Sequence, residues 1–218
     1  MKTLSLIQMQ EKLKSMMSKE RFEHSIGTME MAESLAEKYG CNVEQARVAG
    51  LLHDCAKEYG VEETIIFLNS IGYRIEESAR RAVEIYHQYM GGIIAMDKFG
   101  VDDRDIINAI SCHTTGRKNM TLLDKVVYLA DLTERTRSKD PEPWLDDLRK
   151  LCDYNLDMAM LLALEMSIRR LLDDNRAIQL DTIQARNSIL LSGVNLDFKL
   201  DAREYTTSRW DSSKNHLQ

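Results

Sequence analysis

Proline is almost missing from these 218 residues: Pro141 and Pro143 are the only two, and both fall in the stretch Asp140-Pro141-Glu142-Pro143. Glycines fall mainly where helices would end, and no segment alternates apolar and polar residues long enough to read as a strand. An all-α fold is therefore expected, formed as a single compact domain, because 218 residues with 44% hydrophobic content support one sizeable core. The four cysteines, Cys41, Cys55, Cys112 and Cys152, form no C-x-x-C pair and no disulfide-type cluster, so they are expected to be reduced core thiols. An uninterrupted apolar run is also lacking. Met1 to Lys14 does not read as a signal peptide and nothing reads as a bilayer span, which predicts a cytoplasmic protein with no membrane partner. Nor is there an excess of basic charge. A net charge of −6 with interspersed signs excludes a duplex nucleic acid footprint, while a small anion could still be served by a few local cations and a metal.

What is present is helical punctuation. Asn42 with Gln45, Asp102 with Asp105, Thr121 with Asp124, and Asp181 with Gln184 each pair a cap residue with a side chain three positions on. Gly40, Gly60 and Gly100 fit the position just past a helix end. Apolar residues recur at helical spacing between these marks, predicting helices near 5–19, 22–39, 43–56, 61–70, 76–83, 86–99, 103–113, 121–136, 143–151, 153–173 and 181–192. The expected layout is an N-terminal helix in 1–20, a main domain over 21–192 and a polar C-terminal tail over 193–218.

Four of the five histidines interrupt these helical patterns. His53 and Asp54 stand side by side in Leu51-Leu52-His53-Asp54-Cys55-Ala56-Lys57; His24, His87 and His113 flank them, and Asp131 ends the run Val126-Val127-Tyr128-Leu129-Ala130-Asp131. A single histidine on an apolar face is more commonly a hydrogen-bonded core residue, and a single buried aspartate is often a cap. Six such groups together are costly to bury unless they share a partner, and one or two metal ions satisfy all of them. Asp54 is the bridging candidate, since its two oxygens can face two ions. Mixed nitrogen and oxygen donors suit iron, manganese, cobalt or zinc. Lys57 lies one turn beyond His53, on the same side. His216 lies in the polar tail and is not expected to ligate.

The order His24, His53-Asp54, Asp131 resembles the H…HD…D signature of the HD superfamily of metal-dependent phosphohydrolases. Arg21-Phe22-Glu23-His24, His87 followed by Gly91, His113-Thr114-Thr115-Gly116-Arg117, Asp124-Lys125, and Asp131 with Glu134 and Arg137 extend that pattern. Together they are similar to the YqeK family of symmetrical bis(5′-nucleosyl)-tetraphosphatases, from about Arg21 to Leu191. The sequence departs from that family at Arg135, where proline is usual, and over Asp174 to Gln179, where glycine and lysine are common.

The resemblance implies an HD-type helical bundle holding two divalent ions per chain, iron first among them. His24, His53, Asp54 and Asp131 would hold one ion, and Asp54, His87 and His113 the other. Water shared by such ions would ionise near neutral pH, and the phosphoryl oxygens would be polarised. Lys57, Thr114, Arg137 and Arg21, with Arg117 beside them, are the expected phosphate contacts, because ammonium, hydroxyl and guanidinium groups all donate to phosphoryl oxygens. Asp54 and Lys57 are the expected catalytic pair. The implied reaction is cleavage of diadenosine tetraphosphate at its central anhydride to give two ADP. The alternatives are another nucleotide phosphohydrolase, a nucleotidase or alarmone hydrolase, and a non-catalytic nucleotide sensor. The expected partner is thus a small dinucleoside polyphosphate or nucleotide, with a homodimer left open.

Overall fold

Side chains that compete with the backbone for hydrogen bonds set the helix starts in this protein. In the computed structural model, which describes residues 3–73, 82–136 and 143–193, Ser5 opens α1 (Leu6–Lys14) with a capping box to Gln8, and Ser18 caps α2 (Lys19–Tyr39). Asn42 caps α3 (Val43–Leu52), and Thr121 forms a capping box with Asp124 at the head of α7 (Leu122–Thr133). Gly40 and Gly100 end α2 and α5 (Tyr86–Phe99) in the left-handed conformation, as expected of residues just past a helix. The remaining helices are α4 (Val61–Ser70), α6 (Arg104–Cys112), α8 (Pro143–Tyr154), α9 (Leu156–Asp173) and α10 (Leu180–Leu191), with a short 3₁₀ turn at Val83–Ile85. No strand occurs among the described residues, so the fold is all-α as expected.

Several expected boundaries move. The first helix stops at Lys14, because Ser15 closes it and the chain turns into the Ser18 cap. Asp103, not Asp102, caps α6 by accepting from the N–H groups of Asp105 and Ile106. Gly60 starts α4 instead of ending α3, because the chain turns through residues 53–59. Gln179 precedes α10 without a side-chain cap, which places Asp181 inside the first turn. The helix expected near 76–83 falls largely outside the described residues.

The centre of the molecule is α2 packed on α3 and α7, with α6 against α3, α5 and α7; α8, α9 and α10 cover one side. One hydrophobic core runs through all of it, including Leu51, Leu52, Phe99, Ile110, Val126 and Leu129, each fully buried. The N-terminal helix adds Met9 and Leu13 to that same core. Two ties across the surface hold the covering helices: Tyr39 Oη donates to the Cys152 carbonyl at 2.8 Å, and Lys125 pairs with Asp157. Close approach of α5 to α6 depends on Gly92, where a β-carbon would lie 3.2 Å from the Ile107 carbonyl. Cys55, Cys112 and Cys152 are buried and Cys41 is partly buried, all free, as expected of core thiols. No described helix is long and apolar enough to cross a membrane.

Candidate metal centre

Six polar side chains converge because their helices end at the same place. His53 and His113 are the C-caps of α3 and α6, His87 is the second residue of α5, His24 lies in the second turn of α2, and Asp131 in the last turn of α7. Asp54 follows His53 in the turn after α3. His53, Asp54, His87 and His113 are buried, and His24 and Asp131 are partly buried.

Backbone carbonyls fix how two of the rings are presented. His53 Nδ1 donates to the Gly50 carbonyl at 2.8 Å and His113 Nδ1 to that of Ile110 at 2.7 Å. Protons so placed leave the Nε2 lone pairs aimed into the cluster, the arrangement a metal requires. His24 is set the same way by a carboxylate: Glu134 Oε1 lies 3.0 Å from its Nδ1. Glu134 can reach inward because the chain leaves the helical conformation there, ending α7. Gly27 leaves room for it, since a β-carbon at that position would lie 2.5 Å from Glu134 Oε2.

The six groups fall into two sets that share Asp54. In the first, His24 Nε2 is 3.2 Å from His53 Nε2 and 3.0 Å from Asp131 Oδ1, and His53 Nε2 is 3.7 Å from both Asp131 Oδ1 and Asp54 Oδ2. In the second, His87 Nε2 is 3.1 Å from His113 Nε2, and Asp54 Oδ1 lies 3.2 and 3.5 Å from these two nitrogens. One oxygen of Asp54 thus faces each set. Asp54 Oδ1 is buried and accepts no hydrogen bond, although acceptors in such a place normally find a donor. Lone pairs turned toward one another around an unsatisfied carboxylate oxygen are the donor set of a divalent-metal centre, and the residues fit that group.

The electrostatics agree with it. Burial lowers His53 to about 4 against the opposing pull of Asp54 and Asp131, and lowers His87 to about 4 against contact with Asp54. Both rings are therefore neutral at pH 7 and able to ligate. Burial resists the charge on Asp54, yet His53, the neighbouring His113 and His87 rings, and Lys57 together hold its carboxyl well below the usual carboxylate range.

The expected phosphate contacts separate in the structure. Lys57 Nζ lies 3.0 Å from His87 Nε2 and 3.5 Å from Asp54 Oδ1, and Thr114 Oγ1 lies 3.3 Å from His87 Nε2, so both sit at the cluster. Gln88 braces the Thr114 turn by accepting from the N–H groups of Thr114 and Thr115. Arg21 is paired with Glu58 at 3.0 Å, with both side chains partly exposed. Arg117 is committed elsewhere: its Nη2 and Nε reach Oδ2 of the fully buried Asp124 at 2.7 and 2.8 Å. Arg137 lies outside the described residues.

Residues 21–136 match the HD domain family. The chain belongs to the HD-domain family. Within it, a symmetrical bis(5′-nucleosyl)-tetraphosphatase of Bacillus subtilis is 33% identical over 80% of this chain and 92% of its own length. Another of the same name, from Halalkalibacterium halodurans, is 32% identical over 82% of this chain and 94% of its own length. A crystal structure of a Clostridium acetobutylicum protein, described as a predicted HD superfamily hydrolase involved in NAD metabolism, superposes with a TM-score of 0.83 at 36% identity, covering 88% of this chain and all of the other. This HD-domain chain therefore matches the first two relatives over nearly their whole length.

Sequence reasoning assigned no role to Glu134 or Gln88. Glu134 entered the sequence pattern only as a companion of Asp131 and Arg137, and its contact with His24 spans 110 residues of chain.

Proposed function

We propose that this HD-domain chain hydrolyses diadenosine tetraphosphate at the central phosphoanhydride, giving two ADP. The observation that carries the reading is the position of Asp54, one oxygen toward each set of imidazoles, in a chain aligned with symmetrical tetraphosphatases over nearly their full length. His24, His53, Asp131 and Asp54 Oδ2 would hold one divalent ion, and Asp54 Oδ1, His87 and His113 a second, with iron the first candidate and manganese, cobalt or zinc the others. Divalent ions held there would supply a water-derived nucleophile at neutral pH and would polarise phosphoryl oxygens.

The chain's own groups do the rest. Lys57 and Thr114 stand against His87 and would neutralise and orient the polyphosphate. The Nε2 lone pair of His87 can serve either the Lys57 ammonium or an ion, so ligation there would release Lys57 to the substrate. Arg21 and Arg137 are the remaining candidate phosphate contacts. Among the described residues every histidine belongs to the cluster, which leaves none to act as a general acid. An ADP leaving group needs little such help, because its charge is already stabilised.

Products decide the reading. With diadenosine tetraphosphate the purified protein should give ADP alone. Initial release of ATP plus AMP would overturn symmetrical cleavage, and release of inorganic phosphate from mononucleotides would favour a nucleotidase.

A further inference from the structure

A wholly buried glutamine stands beside the ligand cluster. Gln88 follows His87 in α5 and is 0% exposed, in a place where an amide is costly unless its polar atoms find partners. Its Oε1 accepts from the N–H groups of Thr114 and Thr115 at 3.1 and 3.2 Å, and its Nε2 donates to Thr115 Oγ1 at 3.0 Å. Backbone N–H groups only donate, so the amide oxygen has to face them and the orientation of the side chain follows. The residue after one imidazole, His87, is thereby tied to the two residues after another, His113.

Those two N–H groups are the ones α6 would use to continue. In a further turn of helix Thr114 would donate to the Ile110 carbonyl, four residues back, and Thr115 to that of Ser111. The Ile110 carbonyl accepts from His113 Nδ1 at 2.7 Å. Helix α6 ends at Cys112 and the chain turns, with the Gly116 N–H closing on the Cys112 carbonyl at 2.8 Å. Gln88 thus satisfies the N–H that would otherwise compete with the ring for Ile110. Helix α5 comes close enough for this because Gly91, one turn on and on the same face as Gln88, has no side chain: a β-carbon there would lie 3.1 Å from Ile110 Cγ2.

We propose that Gln88 is a positioning residue for His113. By taking the Thr114 N–H it reserves the Ile110 carbonyl for the His113 ring, keeps the ring proton on Nδ1 and turns Nε2 toward Asp54 Oδ1 and His87 Nε2, 3.5 and 3.1 Å away. The role rests on reading the His and Asp cluster as a metal centre. Glu134 orients His24 by direct contact, whereas Gln88 acts on His113 through the backbone of the turn.

The ring proton reads this without metal or substrate. Long-range proton–nitrogen NMR of the metal-free full chain should find the His113 proton on Nδ1 in the wild type. In Gln88→Met, which fills nearly the same space without an acceptor, it should move to Nε2 or divide between the two nitrogens. Gln88→Asn, too short to reach both N–H groups, gives the same readout should the methionine variant not fold. Thr115→Val is the control: it removes the hydroxyl that Gln88 Nε2 bonds but leaves the Thr114 N–H paired, so the proton should stay on Nδ1. With divalent ions added, titration against a chelator should find the ion at His87 and His113 held about tenfold more weakly in Gln88→Met, and the ion at His24 held as in the wild type. The assignment is overturned by a His113 proton on Nε2 in the wild type, by an unchanged ring in the Gln88 variants, by an equal change in Thr115→Val, or by second-ion affinity within twofold of the wild type. A wild type that binds one ion alone would defeat the two-ion reading, and the ring proton would then decide the role of Gln88 by itself.

Discussion

Glu134 holds His24 in the ring orientation that a metal needs: its Oε1 lies 3.0 Å from Nδ1, and on the other edge of the ring Nε2 lies 3.0 Å from Asp131 Oδ1. Glu134 is itself fixed by the N–H of Thr136 at 2.7 Å and the Thr136 hydroxyl at 2.6 Å, and its side chain is fully buried. Burial opposes its charge, but the hydrogen bonds from His24 and Thr136 keep its carboxyl below the ordinary glutamate value.

Glu134→Gln keeps the shape and removes the charge, so His24 loses a partner that raises its basicity as a ligand. Metal affinity should fall by about tenfold, the lower end for such outer partners, with helical content unchanged. Titration against a competing chelator measures it. Unchanged affinity would mean that Glu134 serves only to end α7.

The convergence of the His and Asp cluster was legible in the sequence because each member is a polar residue inside an apolar helical pattern, where burial without a partner is costly. Most helix starts were legible for an equally local reason, the cap side chains. Neighbouring acids defeated that logic at α6: Asp102 and Asp103 are equivalent on paper, and only the chain's path selects Asp103. Arg117 was misleading in another way. Its place beside His113-Thr114 suggests phosphate, whereas burial of Asp124 seven positions on claims its fork.

Arg117→Met should leave the buried Asp124 carboxylate with the Thr121 N–H but no countercharge, since both Arg117 nitrogens reach its Oδ2. Breaking a buried pair costs about 3–5 kcal/mol, and partial exposure of Arg117 puts this one at the lower end, about 3 kcal/mol at most. For a chain of this size that is a fall in Tm of up to about 6–12 °C. Combining Arg117→Met with Asp124→Asn should cost less than the sum of the two single changes, because the stranded charge is gone. Simple additivity in thermal unfolding would show that the pair is not coupled.

Asp103 caps α6 and accepts from Gln45 Nε2 at 2.8 Å, tying the helix that ends in His113 to the one that ends in His53. The Gln45 hydrogen bond is the largest influence on its carboxyl and holds it below the ordinary aspartate value of 3.8. A carboxyl depressed in the folded state contributes stability above its unfolded pKa and loses that contribution as pH falls through the folded one. Asp103→Asn retains a cap but not the charge. The variant should therefore be less stable than the wild type at pH 7, and the gap should close below pH 3.8. Denaturant midpoints measured across that range would reveal a constant gap if the charge is irrelevant.

Asp54 and His113 should differ in what their removal does to metal content. Both oxygens of Asp54 face imidazole sets, Oδ2 lying 3.7 Å from His53 Nε2 and Oδ1 lying 3.2 Å from His87 Nε2. Asp54→Ala removes a donor from each set, so elemental analysis of the purified variant should find neither ion and product assays no turnover. His113 contributes only to the second set: its Nε2 lies 3.1 Å from that of His87, while its Nδ1 is occupied by the Ile110 carbonyl. His113→Ala should therefore lose the second ion and keep the first. The two variants together separate a pair of partly independent sites from a single shared one. If Asp54→Ala retained two ions, the bridging role would be wrong; if His113→Ala lost both, the sets could not be filled separately, and the division of ligands proposed for this centre would have to be abandoned.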